Sequence, residues 1–191
     1  MKLKLSDKWL SSPSGAAVRN WLIGSIVLAA IGYTAVTMAF IQAKFPGTLF
    51  QAQLAFRGET IKAQYATLID QGTLGTYVTA QIIDYAWIFG LMLTLFFTHL
   101  AIARAQTNPG WRNFALSLAV IAPAIASADA FENLVSFFML ATPQGFPSWL
   151  APVYSSLAAI KWGWSVIGVS ILVVEVIALL LIRLGRRGSK A

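Results

Sequence analysis

The chain has 191 residues, of which 58% are hydrophobic and only 11% are charged. A soluble domain carries about 25% charged residues, so this composition and a mean hydropathy of +0.70 exclude a water-soluble globule. With no cysteine and one histidine, the chain lacks the residues for a disulfide, a thiolate metal site or a multi-histidine zinc site.

The formal net charge of +7 comes from fourteen Lys and Arg residues against seven Asp and Glu residues. These basic residues lie mostly between and outside the apolar runs of the sequence. Such a distribution is typical of a membrane-topology signal and not of a phosphate-binding face. We therefore expect the lipid bilayer as a partner and no nucleic acid.

The first apolar run covers residues 21–41 and contains no charge. A helix needs about 20 apolar residues to cross the hydrocarbon core, so this run predicts a membrane span. It is longer than the apolar region of a cleaved signal peptide, which has about 7–15 residues. No small-residue cleavage site follows it, and we expect a retained signal anchor.

The connection over residues 43–76 is too long for a turn and too polar for a span. After Gly58, apolar residues recur at helical spacing: Ile61, Tyr65, Leu68 and Ile69. This pattern predicts an amphipathic helix on the outer membrane face. Together with the aromatic, proline-rich connection over residues 142–156, it forms either a lid or a simple cap on the bundle, and we favour the cap.

Three further apolar runs, at about 77–102, 114–140 and 157–182, are each long enough to span the bilayer. The sequence therefore predicts an all-α protein, a bundle of four transmembrane helices that forms one membrane domain over residues 1–191. No nucleotide-binding loop, nucleophile motif or metal triad is present, and we expect no cofactor.

The basic residues predict the orientation, because Lys and Arg near span ends stay in the cytoplasm. One side of the predicted topology carries ten of them: Lys2, Lys4, Lys8, Arg19, Arg104, Arg112, Arg183, Arg186, Arg187 and Lys190. The other side carries only Lys44, Arg57 and Lys62. We expect both termini on the cytoplasmic side of the membrane.

Polar residues inside the apolar runs are the most informative feature, because a charge at the bilayer centre costs about 2.5 kcal/mol or more. A helix rises by about 1.5 Å per residue, so the depth of each polar residue can be calculated from its position in the span. Five polar residues are placed in this way at similar heights in the outer half of the bundle. They are Asp84, Asp129, Glu132, Asn133 and Lys161. Residues 129, 132, 133 and 136 share one helix face, whereas Phe131, Leu134, Val135 and Phe138 take the opposite, lipid-facing side.

Three interpretations of this outer cluster stay open at this point. In the first, Lys161 pairs with Asp84 or Asp129, Asn133 joins them, and the network holds helices together. In the second, three carboxyls and one ammonium are unbalanced, so the site keeps a proton or takes a cationic ligand. In the third, Lys161 extends to the outer surface and leaves the acids unpaired.

A second group is predicted nearer the cytoplasm. His99 and Glu175 both fall on the inner side of their spans, about 14 and 8 Å from the bilayer centre, so they are candidates for a secondary pair. A lone histidine near a helix end is more often a packing residue, and the pattern favours that structural role.

Several short segments carry a family resemblance: Leu74–Tyr77, Asp84–Tyr85, Asp129–Asn133 and Ala159–Trp162. With these residues the chain resembles a group of small, uncharacterised bacterial four-helix integral membrane proteins. The most specific part is Asp-x-x-Glu-Asn, followed about thirty residues later by a lysine. The resemblance implies a multi-pass protein of the bacterial inner membrane with the same polar residues as its site, and it implies no particular activity.

Two functional hypotheses follow. In the first, the outer cluster binds a small ligand, a lipid headgroup or a proton. A metal ion is disfavoured there because Lys161 opposes a second cation. In the second, the protein is an accessory subunit of a larger membrane complex or self-associates, with the small-residue stripe Ser25, Ala29 and Gly32 packing on partner helices. Transport by a monomer is weaker, because no inverted repeat is detectable.

Overall fold

The computed structural model describes the backbone of residues 4–188 and the side chains of residues 8–181. The described chain is all-α, as predicted. Its helices are α1 (Lys4–Ser11), α2 (Gly15–Ala43), α3 (Leu49–Gln53), α4 (Gly58–Asp70), α5 (Leu74–Ala105), α6 (Pro109–Ala141) and α7 (Leu150–Gly188). Of the predicted topology residues, Lys2 and Lys190 lie outside the described residues. The side chains of Lys4, Arg183, Arg186 and Arg187 lie outside the described side chains.

Four helices in the described chain are long and apolar enough to cross a membrane: Gly15–Ala43, Leu74–Ala105, Pro109–Ala141 and Leu150–Leu181. The protein is therefore a multi-pass membrane protein. Each span is longer than its apolar run, because the helix continues into the flanking segments. At the start of α6, for example, the Asn108 side chain accepts hydrogen bonds from the backbone N–H groups of Gly110 and Trp111.

The spans pack in chain order. Helix α2 lies along α5, α5 along α6, and α6 along α7. Within the described residues, α2 and α7 make no extended contact with each other. The arrangement therefore leaves a gap on one side between the first and last spans.

Glycines let α2 and α5 approach very closely. A Cβ atom added at Gly32 would lie 2.7 Å from the backbone nitrogen of Trp87, and one added at Gly90 would lie 2.6 Å from that of Ala29. Ser25, Ala29 and Gly32 are buried in this contact. The stripe that we expected to pack on partner helices thus packs inside the chain, since small residues favour helix contact within one bundle as much as between subunits.

The predicted amphipathic helix is present as α4, but its location differs from the expectation. Its apolar residues Ile61, Tyr65 and Leu68 are buried against the end of the bundle at which α5 begins, where they pack with residues such as Tyr77 and Met139. The apolar face therefore rests on protein and not on the membrane surface, because the bundle end offers a dry apolar surface. This agrees with the cap interpretation.

The second outer connection also contributes to the cap. Phe146 is 1% exposed and packs edge-on against Tyr65, whereas Trp149 is 65% exposed. The loop thus contributes Phe146 to the cap and leaves Trp149 at the surface. It ends earlier than expected, because α7 begins at Leu150 and not near residue 157.

Two short helices were not predicted. Helix α1 is held to α5 by Arg104, whose guanidinium donates hydrogen bonds to the backbone carbonyls of Trp9 and Pro13. Arg104 was expected only as a topology charge. Helix α3 lies in the outer connection, and Thr48 and Gln51 form a reciprocal capping box at its start.

Candidate functional site

Lys161 joins α7 to α6 through two carboxylates. Its Nζ atom lies 2.9 Å from Asp129 Oδ1 and 2.6 Å from Glu132 Oε2. The two acids are one helical turn apart on the buried face of α6, which is why one ammonium reaches both. The interpretation in which Lys161 extends to the outer surface is wrong, because this geometry satisfies the ammonium inside the bundle.

Asp84 does not pair with Lys161. Its Oδ2 atom instead accepts a hydrogen bond from Asn133 Nδ2 at 2.9 Å. The outer cluster therefore consists of an ion triad and a neighbouring carboxylate–amide pair, and together they connect α5, α6 and α7. All five residues predicted for the outer cluster belong to these two groups.

The predicted faces of α6 are present. Asp129, Glu132, Asn133 and Ser136 are buried, while Phe131, Leu134 and Phe138 are exposed on the other side. Val135, which was predicted on the lipid-facing side, is instead half-buried and packs against the core. A helix in lipid is stable with its aromatic residues outward, so the polar residues take the protein side.

A cavity of about 740 Å³ lies between α2 and α7, next to this cluster. Three of the five predicted residues line it, namely Asp84, Asp129 and Lys161. Glu132 and Asn133 are almost completely buried and do not line it. The side chains of Lys161 and Asp129 are 17% and 10% exposed, so the ion triad retains an accessible side.

Aromatic side chains form much of the cavity wall. Tyr33 of α2 and Trp87 of α5 have ring centroids 5.2 Å apart, and Phe50 of α3 and Trp162 of α7 have centroids 5.5 Å apart. All four line the cavity. Sequence reasoning missed them as site residues, although Trp87 follows Asp84 by one turn and Trp162 is adjacent to Lys161.

Helix α3 contributes to the cavity wall through Leu49, Phe50 and Gln53. The indole Nε1 of Trp162 donates a hydrogen bond to Gln53 Oε1 at 2.9 Å, which ties α3 to α7. The backbone N–H of Phe56 donates to Ser155 Oγ at 3.0 Å and adds a second link. Lys44, which directly follows α2, is exposed and also lines the cavity.

Glu132 also faces a buried set of hydroxyl groups under the cap. Tyr154 approaches its carboxylate, and Ser136 lies beside Tyr65 and Tyr77. Burial raises the pKa of Tyr65, on α4, from 10.0 to about 12. A hydroxyl that is removed from water resists ionisation, so the cap keeps Tyr65 neutral over the ordinary pH range.

The predicted secondary pair of His99 and Glu175 is present in the structure. His99 Nδ1 lies 2.7 Å from Glu175 Oε2, and both side chains are nearly inaccessible. The cavity described above does not include these residues. The contact agrees with the structural role that the sequence favours for His99.

No three His, Asp or Glu side chains in the described part of the chain are arranged to hold a metal ion. Comparison with protein-family models, with curated proteins and with solved structures finds no match to this chain. The four long apolar helices agree with the resemblance drawn from the sequence, and the family itself stays a prediction.

Proposed function

We propose that this membrane protein binds a small polar ligand or a lipid headgroup in the cavity between α2 and α7. The observation that carries the proposal is that polar residues from three helices meet at one accessible cavity: Asp84 from α5, Asp129 from α6 and Lys161 from α7. Ion pairs that serve only as links between helices have no need of such a cavity. Ligand sites in helix bundles are commonly built in this way, from side chains on facing helices.

The accessory-subunit hypothesis has less support. Its sequence argument was the small-residue stripe of α2, which packs against α5 of the same chain. The exposed aromatic and branched residues of α7 are what a lipid-facing surface requires. A linking role for the outer cluster is compatible with ligand binding, because Lys161 joins α6 and α7 while keeping one side accessible.

The proposal places the protein in the bacterial inner membrane with both termini in the cytoplasm. This rests on the basic residues of the sequence and on the resemblance. In that orientation, the cavity opens in the outer half of the bilayer and the cap formed by α4 faces the periplasm.

The proposed function is tested by identifying what the protein carries after gentle detergent extraction. The purified protein is measured by mass spectrometry before and after denaturation, so that a bound molecule is released and weighed. A cavity-filling variant, Ser165→Trp, is expected to lose the molecule, because Ser165 lines the cavity. The matched control is Gly163→Trp, since Gly163 has open space around it and does not line the cavity.

Retention of the same molecule by Ser165→Trp would contradict the proposal, as would a wild-type protein that carries nothing and takes up nothing from a membrane extract. Thermal melting of both variants in the same detergent checks that the added indole has not unfolded the bundle.

A further inference from the structure

Asp84 is the cavity-lining carboxylate without an ion pair. Lys161 is engaged by Asp129 and Glu132 at 2.9 and 2.6 Å, and the hydrogen bond that Asp84 accepts comes from the neutral amide of Asn133. A carboxylate at membrane depth is costly unless a cation balances it or a proton neutralises it. The protein therefore leaves Asp84 without an ion pair, since the other lysine that lines the cavity, Lys44, is exposed and forms no salt bridge with it.

The whole cluster has the same imbalance. Three carboxyls, from Asp84, Asp129 and Glu132, face one ammonium, from Lys161. A ligand that carries positive charge restores the balance, whereas an anion adds to the excess. The charges at this end of the cavity thus favour a cation.

The cavity wall indicates what kind of cation fits. The pairs Tyr33–Trp87 and Phe50–Trp162 come from four different helices and line the same cavity as Asp84. Aromatic faces attract organic ammonium groups, and recognition of substituted ammonium ions by several rings is the common use of this interaction. A hydrated metal ion gains less from such a wall, because it prefers oxygen ligands.

We propose that the ligand is a substituted ammonium ion, with its nitrogen against Asp84 and its alkyl groups against Trp87, since the Trp162 ring already faces Lys161 Nζ at 5.9 Å. This inference rests on the proposed function and names the ligand class. Two sources share this chemistry: a free ammonium compound, and the headgroup of a lipid whose chains lie in the gap between α2 and α7.

The test uses the full chain in a maltoside detergent and two probes. One probe is choline chloride, with sodium chloride at equal ionic strength as the control. The other is phosphatidylcholine in mixed micelles, with phosphatidylglycerol as the control lipid. Tryptophan fluorescence is the readout for choline, since Trp87 and Trp162 line the cavity, and native mass spectrometry is the readout for the lipid.

We expect Asp84→Asn to weaken binding of the accepted probe by about tenfold or more, because the charge opposite the ammonium is gone. Asp70→Asn is the matched control: Asp70 is exposed at the end of α4, and its loss is expected to leave affinity unchanged. Trp87→Leu is expected to weaken binding by about five- to tenfold and Trp87→Phe by less, because phenylalanine keeps a ring face. If Asp84→Asn does not fold, the comparison of Trp87→Leu with Trp87→Phe tests whether an ammonium ion binds in the cavity.

Choline binding that depends on Asp84 assigns the site to a free ammonium compound, and binding of phosphatidylcholine alone assigns it to a headgroup. The inference is overturned if neither probe binds, if Asp84→Asn binds as wild type does, or if Trp87→Leu and Trp87→Phe bind equally. A molecule without a cationic nitrogen that wild type carries and Ser165→Trp loses would overturn the ammonium inference while leaving the proposed function standing.

Discussion

Glu175 of α7 and His99 of α5 meet at 2.7 Å, and Glu175 is the only buried residue of α7 between positions 159 and 181. The inner half of this helix therefore has a single deeply buried anchor, which is polar. At the outer half, Lys161 provides a second polar anchor through Asp129 and Glu132. Between these two points, α7 presents exposed apolar side chains to lipid.

The variant Glu175→Gln is expected to loosen the inner half of α7, because it removes the charge that faces His99. Spin labels on Asn113→Cys and Ile177→Cys, both at exposed positions, report the separation of α6 and α7. Labelling is unambiguous because the chain has no cysteine. We expect a broader distance distribution than in wild type, and Glu59→Gln, at an exposed position on α4, serves as the control. An unchanged distribution would show that the contact between His99 and Glu175 does not hold the inner half of α7.

The variant Lys161→Met is expected to lower the free energy of unfolding by about 3 to 5 kcal/mol, since it leaves two carboxylates buried without a cation. Adding Asp129→Asn and Glu132→Gln to the same chain is expected to recover much of this loss. Thermal melting in detergent measures both effects, with Lys44→Met, at an exposed lysine, as the control. If the triple variant is no more stable than Lys161→Met, the ion triad is not the source of the stability.

Alanine at either glycine of the α2–α5 contact is expected to push these helices apart. The new Cβ of Gly32→Ala would meet the backbone of Trp87, and that of Gly90→Ala would meet the backbone of Ala29. Overpacking of this kind costs about 1 to 3 kcal/mol. Gly24→Ala is the matched control, because it lies on α2 with nothing within 4 Å. Equal melting temperatures for Gly24→Ala and Gly32→Ala would contradict the close approach.

The free energy of unfolding is expected to fall as the pH rises from about 10 to 12. Burial raises the pKa of Tyr65 to about 12, so the unfolded chain releases this proton at lower pH than the folded protein does. The stabilisation is present below pH 10 and is lost as the pH approaches 12, with a total of about 2 to 3 kcal/mol for two pKa units. Thermal melting across this range is expected to show a smaller drop in Tyr65→Phe, and an equal drop in both proteins would refute the assignment to Tyr65.

The predicted orientation is open to a direct chemical test. Single cysteines at Gln71, beyond α4, and at Thr107, between α5 and α6, lie at exposed positions on opposite ends of the bundle. A membrane-impermeant maleimide is expected to label Gln71→Cys in intact cells and Thr107→Cys only after permeabilisation. The reverse pattern would place both termini outside the cytoplasm.

Much of the fold and part of the site could be predicted from the sequence, because membrane depth and helix periodicity leave few alternatives. The long apolar runs gave the four spans. The facing direction of Asp129, Glu132 and Asn133 followed from spacing on one helix. The contact between His99 and Glu175 agrees with their predicted placement on the same side of the bilayer centre.

The rest depends on which helices are neighbours, and spacing along one helix contains no such information. The choice of Asp129 and Glu132 over Asp84 as partners of Lys161 is set by α6 lying between α5 and α7. The aromatic wall was missed for the same reason, since Tyr33 and Phe50 meet Trp87 and Trp162 only after α2 and α3 have packed. The short helix α3 has five residues and leaves too weak a periodic signal to predict.

The neighbour-to-neighbour order of the spans has a consequence for biosynthesis. Each span that leaves the insertion machinery after α2 finds its main docking partner already in the membrane. Helix α5 docks on α2, α6 docks on α5, and α7 docks on α6. No span has to wait for a distant span to close a ring, whereas the short helix α3 reaches its partner Trp162 only when α7 has been inserted. A ribosome-bound chain that ends after α6 would therefore hold three spans in nearly their final arrangement.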